Sequence, residues 1–449
     1  MMSQLETETI NKLKEAFSGE IILPNDVAYE GLKNVYSGDG SPAIIVRPLS
    51  TEDVVIAVGF AKSNSMILSV RGGGHHGAAF GTNSDGMVID LSLIDSVKVL
   101  DETKCLVQIG GGAKWGDVAS VLHQHGLALS SGDTKSVGVG GLTLGGGIGW
   151  MVRKWGLALD SLVGAEIVTA DGAILTANET ENSDLFWAIR GGGGNFGIVT
   201  HFEFIAHQLN NVYFATIMYD AKDAVSILKE WRNITESAPE DLSSSVTLMP
   251  AFTPEMSPSL MVLACFAGDD ADEAAKALEP LQNLSHPTTK TIEKKPYKDI
   301  LQEAHPPEGM TAVVKNIFTP EFSDELIEKT VAIYNKGNWV FQVRDIDGAL
   351  NKISQDSTAF AHRDSKFMMF AGTFVPALSS AATLLEAAQP WRDIVPFGIG
   401  SYANFISSRT EEDVASVYSP KTYEKLQKIK QKYDPDNLFN QNYNIKPIQ

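Results

Sequence analysis

The chain is poor in cysteine: its 449 residues carry two, Cys105 and Cys265. Both lie in apolar runs, CLVQIG and LMVLACFAG, so they read as buried, inert thiols rather than a disulfide or redox couple. Basic charge is also scarce. Lys plus Arg number 36 against 55 Asp plus Glu, a formal net charge of -19, and a surface of that sign repels phosphate backbones and anionic lipid alike. The expectation is a chain with no nucleic-acid and no membrane partner. No run approaches the roughly 18 apolar residues of a membrane span. The opening MMSQLETETINKLKEAF lacks the apolar core of a secretory signal, so a cytoplasmic chain is expected. Short-period repeats and low-complexity segments are missing too, which excludes solenoids and coiled coils.

What is present in quantity is glycine, 39 residues of it, concentrated in the first two hundred positions. Between the glycines, AIIVRP (43–48), MILSV (66–70), MVIDLS (87–92) and CLVQIG (105–110) are short, rich in Val, Ile and Leu, and bounded by breakers, as strands are. STEDVVIAVGFAKSN has a Ser50 or Thr51 cap with acids in its first turn, and WGDVASVLHQHG stops on Gly126; both predict helices. IVTADGAIL (167–175) alternates about an Asp-Gly turn and predicts a hairpin. Near residue 208 glycine thins out. YFATIMYD, AVSILKEW, SSVTLMP, LMVLACFAG, DEAAKALEPLQ, SDELIEKTVAIYNK, WVFQVRD and KFMMFAGTFV then alternate strand and helix to about residue 400. That pattern predicts one antiparallel sheet covered by helices on one face. The expected class is α+β, with segments at 1–207, 208–400 and 401–449.

Three glycine clusters stand apart: RGGGHHG at 71–77, GVGGLTLGGGIG at 138–149 and RGGGGNFG at 190–197. Glycine lets successive N–H groups line one concavity and lets a flat ligand lie against bare backbone. One such loop is commonly just a tight turn, but three imply a long ligand. A nicotinamide fold needs G-x-G-x-x-G opening the first helix of a βαβ unit, and GGGIGWMVRKWG follows several strands instead. The adjacent His75 and His76 lack the spaced partners of a zinc site, so no metal is expected.

These residues carry a resemblance. VRGGGHH with VIDLS beyond it, GDTKSVGVGGLTLGGGIGWMVRKWGLALD, DLFWAIRGGGGNFGIVT, the YANF of 402–405 and the closing KYDPDNLFNQNYNI together resemble the berberine-bridge-enzyme-like flavoproteins, of the vanillyl-alcohol-oxidase (PCMH) type of FAD fold. The resemblance implies a two-part FAD-binding domain with a substrate domain on top. It implies that His75 matches the histidine bonded to the 8α-methyl of FAD. The cysteine that makes a second bond in many relatives is replaced by Thr134 in TKSVGVGG, so attachment through His75 alone is expected. It further implies cofactor contacts from Arg71, Gly72, Gly73, Gly74, His76, Gly77, Thr134, Val137, Gly138, Gly140, Gly141, Gly145 and Gly146. Ile198, Val199, Asn442 and Asn444 complete the expected cofactor set.

The same resemblance points to Tyr402, on a strand over the flavin, as the base that takes the substrate's hydroxyl proton. Asn404 would share its face and orient substrate. His362 beside Arg363 would supply a cation, unless it forms a surface ion pair with Asp364 or Asp356. The expected activity is an FAD-linked oxidase acting on an alcohol, sugar or phenolic small molecule, with hydride passing to the flavin and dioxygen reoxidising it. The alternatives are a dehydrogenase with a quinone or protein acceptor, and a flavin-binding protein whose redox capacity is unused.

Overall fold

A computed structural model describes residues 7–253, 255–303, 309–376 and 379–448. The first sheet has four strands in the order Glu20–Ile22, Ile44–Arg47, Met87–Asp90, Leu68–Arg71, the last three parallel. The helix Thr51–Ser63 covers it, burying Val54, Ala57, Val58 and Ala61. Ser50 caps that helix by accepting from the Asp53 backbone N–H at 3.2 Å, as its sequence predicts. The second sheet is antiparallel and runs Val97–Asp101, Leu106–Gly110, Ile198–Ile205, Leu162–Val168, Ile174–Asn178. Its last two strands are the expected hairpin: Val168 pairs with Ile174, and Gly172 takes the positive φ of 83° that the turn requires.

The third sheet has seven strands, every neighbouring pair antiparallel, in the order Thr289–Pro296, Asn211–Asp220, Ser259–Phe266, Leu242–Met249, Trp339–Asp345, Phe367–Pro376, Met310–Thr319. One face packs Ile217, Val246, Val262, Phe341 and Met369 against Ile227, Leu228 and Trp231 of the helix Ala224–Thr235 and Leu326, Ile327 and Val331 of the helix Asp324–Tyr334. Each large aliphatic side chain buried this way stabilises by about 1.5–3 kcal/mol. Side chains alternate along a strand, so this core commits every second residue. The opposite face is left to meet the glycine loops.

The mixed α+β class is as expected. Two strands of the third sheet lie outside the sequence reading. Thr289–Pro296 is an edge strand exposed along most of its length, with no apolar alternation to announce it. Met310–Thr319 closes the other edge. Cys265 is buried, but Cys105 departs from expectation. It sits in a turn with φ 53°, half-buried, its thiol on the Glu102 carbonyl at 3.7 Å, because the ladder begins only at Leu106.

After the helix Pro420–Tyr433 the tail returns to the third glycine cluster. Ile445 N–H donates to Asn195 Oδ1 at 3.0 Å, and Asn195 Nδ2 donates to the Tyr443 carbonyl at 3.2 Å. Leu426, Ile429, Tyr443 and Ile445 join the same core as Phe196 and Phe202. The helix is held by Lys430, fully enclosed, whose ammonium donates to Asp434 Oδ2 at 2.6 Å and to the carbonyls of Asn195 and Phe439.

Candidate functional site

The first two glycine clusters lie backbone on backbone. A Cβ built on Gly73 would fall 2.2 Å from the Gly138 nitrogen, and one on Gly138 would fall 2.2 Å from the Gly73 nitrogen. No side chain fits between them, which is why both positions are glycine. Arg71, buried at the start of the first loop, puts part of its guanidinium into structure: Nε donates to the Gly81 carbonyl at 2.9 Å and Nη1 reaches the Leu32 carbonyl and Asp90, while Nη2 is buried without a partner. The second loop is laced down by Trp115 N–H to the Val137 carbonyl, Val139 N–H to the Ala113 carbonyl and a bridge from Thr134 to Gln302. It reaches the third cluster where Gly191 N–H donates to the Leu144 carbonyl at 2.9 Å.

The surfaces left between these loops suit a long polar ligand with a flat ring. Gly72, Gly73, Gly74 and Gly77 are half-buried, Gly141 is exposed, and a Cβ on Gly141 or Gly194 would meet nothing within 4 Å. Asn442 Nδ2 donates to the Gly194 carbonyl at 3.2 Å, while the side-chain oxygens of Asn442 and Asn444 are buried without a hydrogen-bond partner. Buried amide oxygens are costly when unpaired, and Asn442 lies against the third glycine loop. Ile198 and Val199 open a strand, paired with Val168 and Ile167, and their side chains point into cores, so any ligand contact would fall to their main chain.

The two histidines differ sharply. His75 is half-buried and stacks on Tyr36, ring centroids 4.7 Å apart. His76 turns away from the cofactor loops. Its Nδ1 accepts from the Ala78 N–H at 3.0 Å, which leaves Nε2–H to donate to the Ala403 carbonyl at 3.0 Å. Burial holds its pKa down to about 4, so the ring is neutral and fixes the 402–405 turn.

Tyr402 is not where the resemblance puts it. The backbone makes a 3₁₀ turn at Ala403–Phe405 instead of a strand, and Tyr402 is 2% exposed. Its hydroxyl oxygen accepts from Gly147 N–H at 2.9 Å, Ile148 N–H at 3.4 Å and Asn404 Nδ2 at 2.9 Å. Burial raises its pKa against the pull of those donors. The phenol is thus enclosed against the second glycine loop. Asn404 does share its side, because the turn brings the amide back onto the ring. Its other contact is the Leu142 carbonyl at 3.2 Å.

His362 and Arg363 also need correction. His362 is 5% exposed, its Nε2 is 2.9 Å from the Val417 carbonyl, and burial lowers its pKa to about 4. Phe318 lies against it on one side and against Tyr402 on the other. It is a neutral core ring. Arg363 is 1% exposed and pairs with Asp160 at 2.6 Å rather than with Asp364 or Asp356.

Facing the loops is the free side of the seven-stranded sheet. The Asp133 carboxylate, beside Thr134, pairs with Arg344, which lies over Trp150. At the other end Val314 N–H donates to Ser407 Oγ, and Ser407 touches Gly77. Asn316 ties the 402–405 turn to the sheet: Oδ1 accepts from Tyr402 N–H at 2.6 Å and Nδ2 donates to the Tyr402 and Phe405 carbonyls. Cross-strand register then sets one row as Met218, Met261, Thr247, Gln342, Phe370 and Asn316. The next row reads Asp220, Ser259 and Met249 across three strands and Val340, Gly372 and Val314 across three more. Phe370 stacks edge-on to Phe405 at 5.3 Å, so this face and the second glycine loop, to which Tyr402 ties that turn, flank the candidate substrate cleft. Sequence reasoning missed Asn316, Gln342, Phe370 and Asp133. The one available signal was strand alternation, which gives a face but no neighbours.

Comparison with known proteins gives the same frame. Residues 42–178 match the family described as FAD binding domain, and 401–446 match the one described as Berberine and berberine like. The chain is 30% identical to (R)-6-hydroxynicotine oxidase of Paenarthrobacter nicotinovorans, over 96% of this chain and 97% of that protein. It is 32% identical to glucooligosaccharide oxidase of Sarocladium strictum, over 91% and 88%. A solved glucooligosaccharide oxidase from Acremonium strictum, whose FAD is 6-S-cysteinyl and 8α-N1-histidyl, superposes with a TM-score of 0.84 at 27% identity, covering 98% of this chain and 99% of that one.

Proposed function

The chain belongs to the berberine-bridge-like FAD-linked oxidoreductases, and on that premise we propose that it is an oxidase carrying FAD on His75 alone. The observation that carries the cofactor reading is that three glycine loops meet backbone to backbone, with the partnerless amide oxygens of Asn442 and Asn444 on the tail that returns to the third. Single attachment rests on Thr134, whose hydroxyl cannot form a flavin thioether. Neither thiol substitutes for it: Cys265 is enclosed with Trp150 and Phe214, where burial pushes its pKa up, and Cys105 sits in a turn beside Glu102. In this reading residues 1–207 hold the cofactor, 208–400 cover the substrate and 401–449 close the site.

When bound, FAD supplies a two-electron acceptor that takes hydride from a carbon bearing a hydroxyl and passes the electrons to dioxygen, giving hydrogen peroxide. The protein's part is placement. Gly72 to Gly77 and Gly138 to Gly146 offer backbone to the cofactor, the Arg344–Asp133 pair holds sheet to loop, and Tyr402 fixes Gly147. The substrate proton leaves to water at the mouth of the cleft.

Acid precipitation followed by peptide mass mapping tests attachment. A yellow pellet with flavin mass on the His75 peptide and none on the Thr134 peptide is expected; a yellow supernatant over a colourless pellet overturns the tether. Peroxide release, measured against reduction of an artificial dye with one shared substrate, tests the acceptor. Dye reduction without peroxide would make the enzyme a dehydrogenase.

A further inference from the structure

The sheet side of the cleft says what kind of molecule fits against it. The six side chains of its first row carry no charge, and the one charge of the second, Asp220, stands exposed at the far end. Three side chains in the rows are methionines, Met218, Met249 and Met261, all half-buried, and Phe370 presents a ring backed by Phe405. Arg344, on the same face of its strand as Gln342, is 4% exposed and already neutralised by Asp133. A charged substrate would lose its hydration here with nothing to replace it. An oligosaccharide would fare little better, since each buried hydroxyl needs a partner and the rows hold few.

Apart from Asn316, spent on the 402–405 turn, one polar pair breaks the apolar surface. Gln342 Nε2 donates to Thr247 Oγ1 at 3.0 Å, which leaves the amide oxygen as an acceptor and the hydroxyl proton as a donor, side by side. Such a pair can hold a single hydroxyl that both gives and takes one hydrogen bond. Methionine and phenylalanine around it supply polarisable, adaptable contact for a flat ring.

We infer that the substrate is an uncharged, largely apolar ring compound with one carbinol hydroxyl, seated between the glycine loops and the methionine-rich sheet face and oriented by Gln342 and Thr247. This rests on the oxidase reading above. In the reaction the carbinol C–H bond breaks with its electron pair going to the flavin, the hydroxyl proton goes to water, and the C–O bond becomes a carbonyl.

The test uses the flavin-loaded protein. Acetophenone, benzoate and cellobiose are titrated in while the visible flavin band is followed, and 1-phenylethanol or cellobiose is then mixed in without oxygen. Acetophenone is expected to bind about tenfold or more tighter than benzoate, a difference of one decade or better in Kd. 1-Phenylethanol should bleach the flavin, and cellobiose should do neither. Gln342→Lys, with retained flavin as the check on folding, should reverse the preference toward benzoate.

Tighter binding or faster bleaching by cellobiose would overturn the inference and leave the oxidase reading standing. So would benzoate binding as well as acetophenone, no binding by any of the three, or an unchanged preference in Gln342→Lys. Acetophenone binding without bleaching by either alcohol would instead uphold the apolar site and sink the oxidase reading.

Discussion

The Tyr402 hydroxyl and the Gly147 backbone nitrogen, 255 residues apart in sequence, stand 2.9 Å apart. The contact fixes the end of the second glycine loop to the C-terminal segment. Tyr402→Phe therefore strands buried N–H groups, each worth about 1–3 kcal/mol when left unpaired. The expected result is a lower midpoint in urea by that order, with the pH profile of kcat/KM keeping its shape. A lost limb in that profile would return the phenol to the role of base.

Gly73→Ala puts a methyl group 2.2 Å from the Gly138 nitrogen. Backbone cannot yield as a side-chain tip does, and overpacking of this kind costs about 1–3 kcal/mol. The loops must part, so flavin content, measured as the ratio of visible to ultraviolet absorbance, should fall well below that of the parent. Gly141→Ala meets nothing within 4 Å and should fold as the parent does.

Three rings make stability depend on acid. His76 and His362, and half-buried His207 as well, have pKa values near 4 in the fold, against 6.5 when free, chiefly through burial. Between those values the unfolded chain binds protons that the folded chain does not. Stability is thus complete above pH 6.5 and falls as the pH drops toward 4, at about 1.4 kcal/mol per pH unit for each ring. Melting temperature followed over that window should slope downward into acid, and His362→Gln should flatten the slope.

Lys430 and Asp434 are both fully enclosed. Lys430→Met would leave the Asp434 carboxylate in the interior without its cation, an arrangement that costs about 3–5 kcal/mol. Urea unfolding should report a loss of that order. The same substitution frees the Asn195 and Phe439 carbonyls, so early protease cuts should appear in the tail.

Much of this was legible because it is local. Ser50 caps its helix and the Asp171–Gly172 turn makes its hairpin from neighbours a few residues away. The strands with apolar runs declared themselves for the same reason, while TKTIEKKP of 289–296 has an edge to pair with and no core to face. The site was legible only as far as its loops. The glycine clusters announce close backbone approach, but which loop approaches which is a tertiary fact. That Tyr402 is enclosed depends on Gly147, and that Arg363 is spent on Asp160 depends on a segment 203 residues away. Type and spacing cannot distinguish a buried partner from a reactive one.

The seven-stranded sheet divides its residues by parity. In Trp339–Asp345, Trp339, Phe341 and Val343 belong to the core beneath the helices, while Val340 and Gln342 belong to the cleft; Met369 and Ala371 against Phe370 and Gly372 repeat the division one strand over. Recognition and folding are thus written on interleaved letters of the same words. A lineage could rewrite every second letter and acquire a new substrate, and the strand beneath it would still spell the same fold.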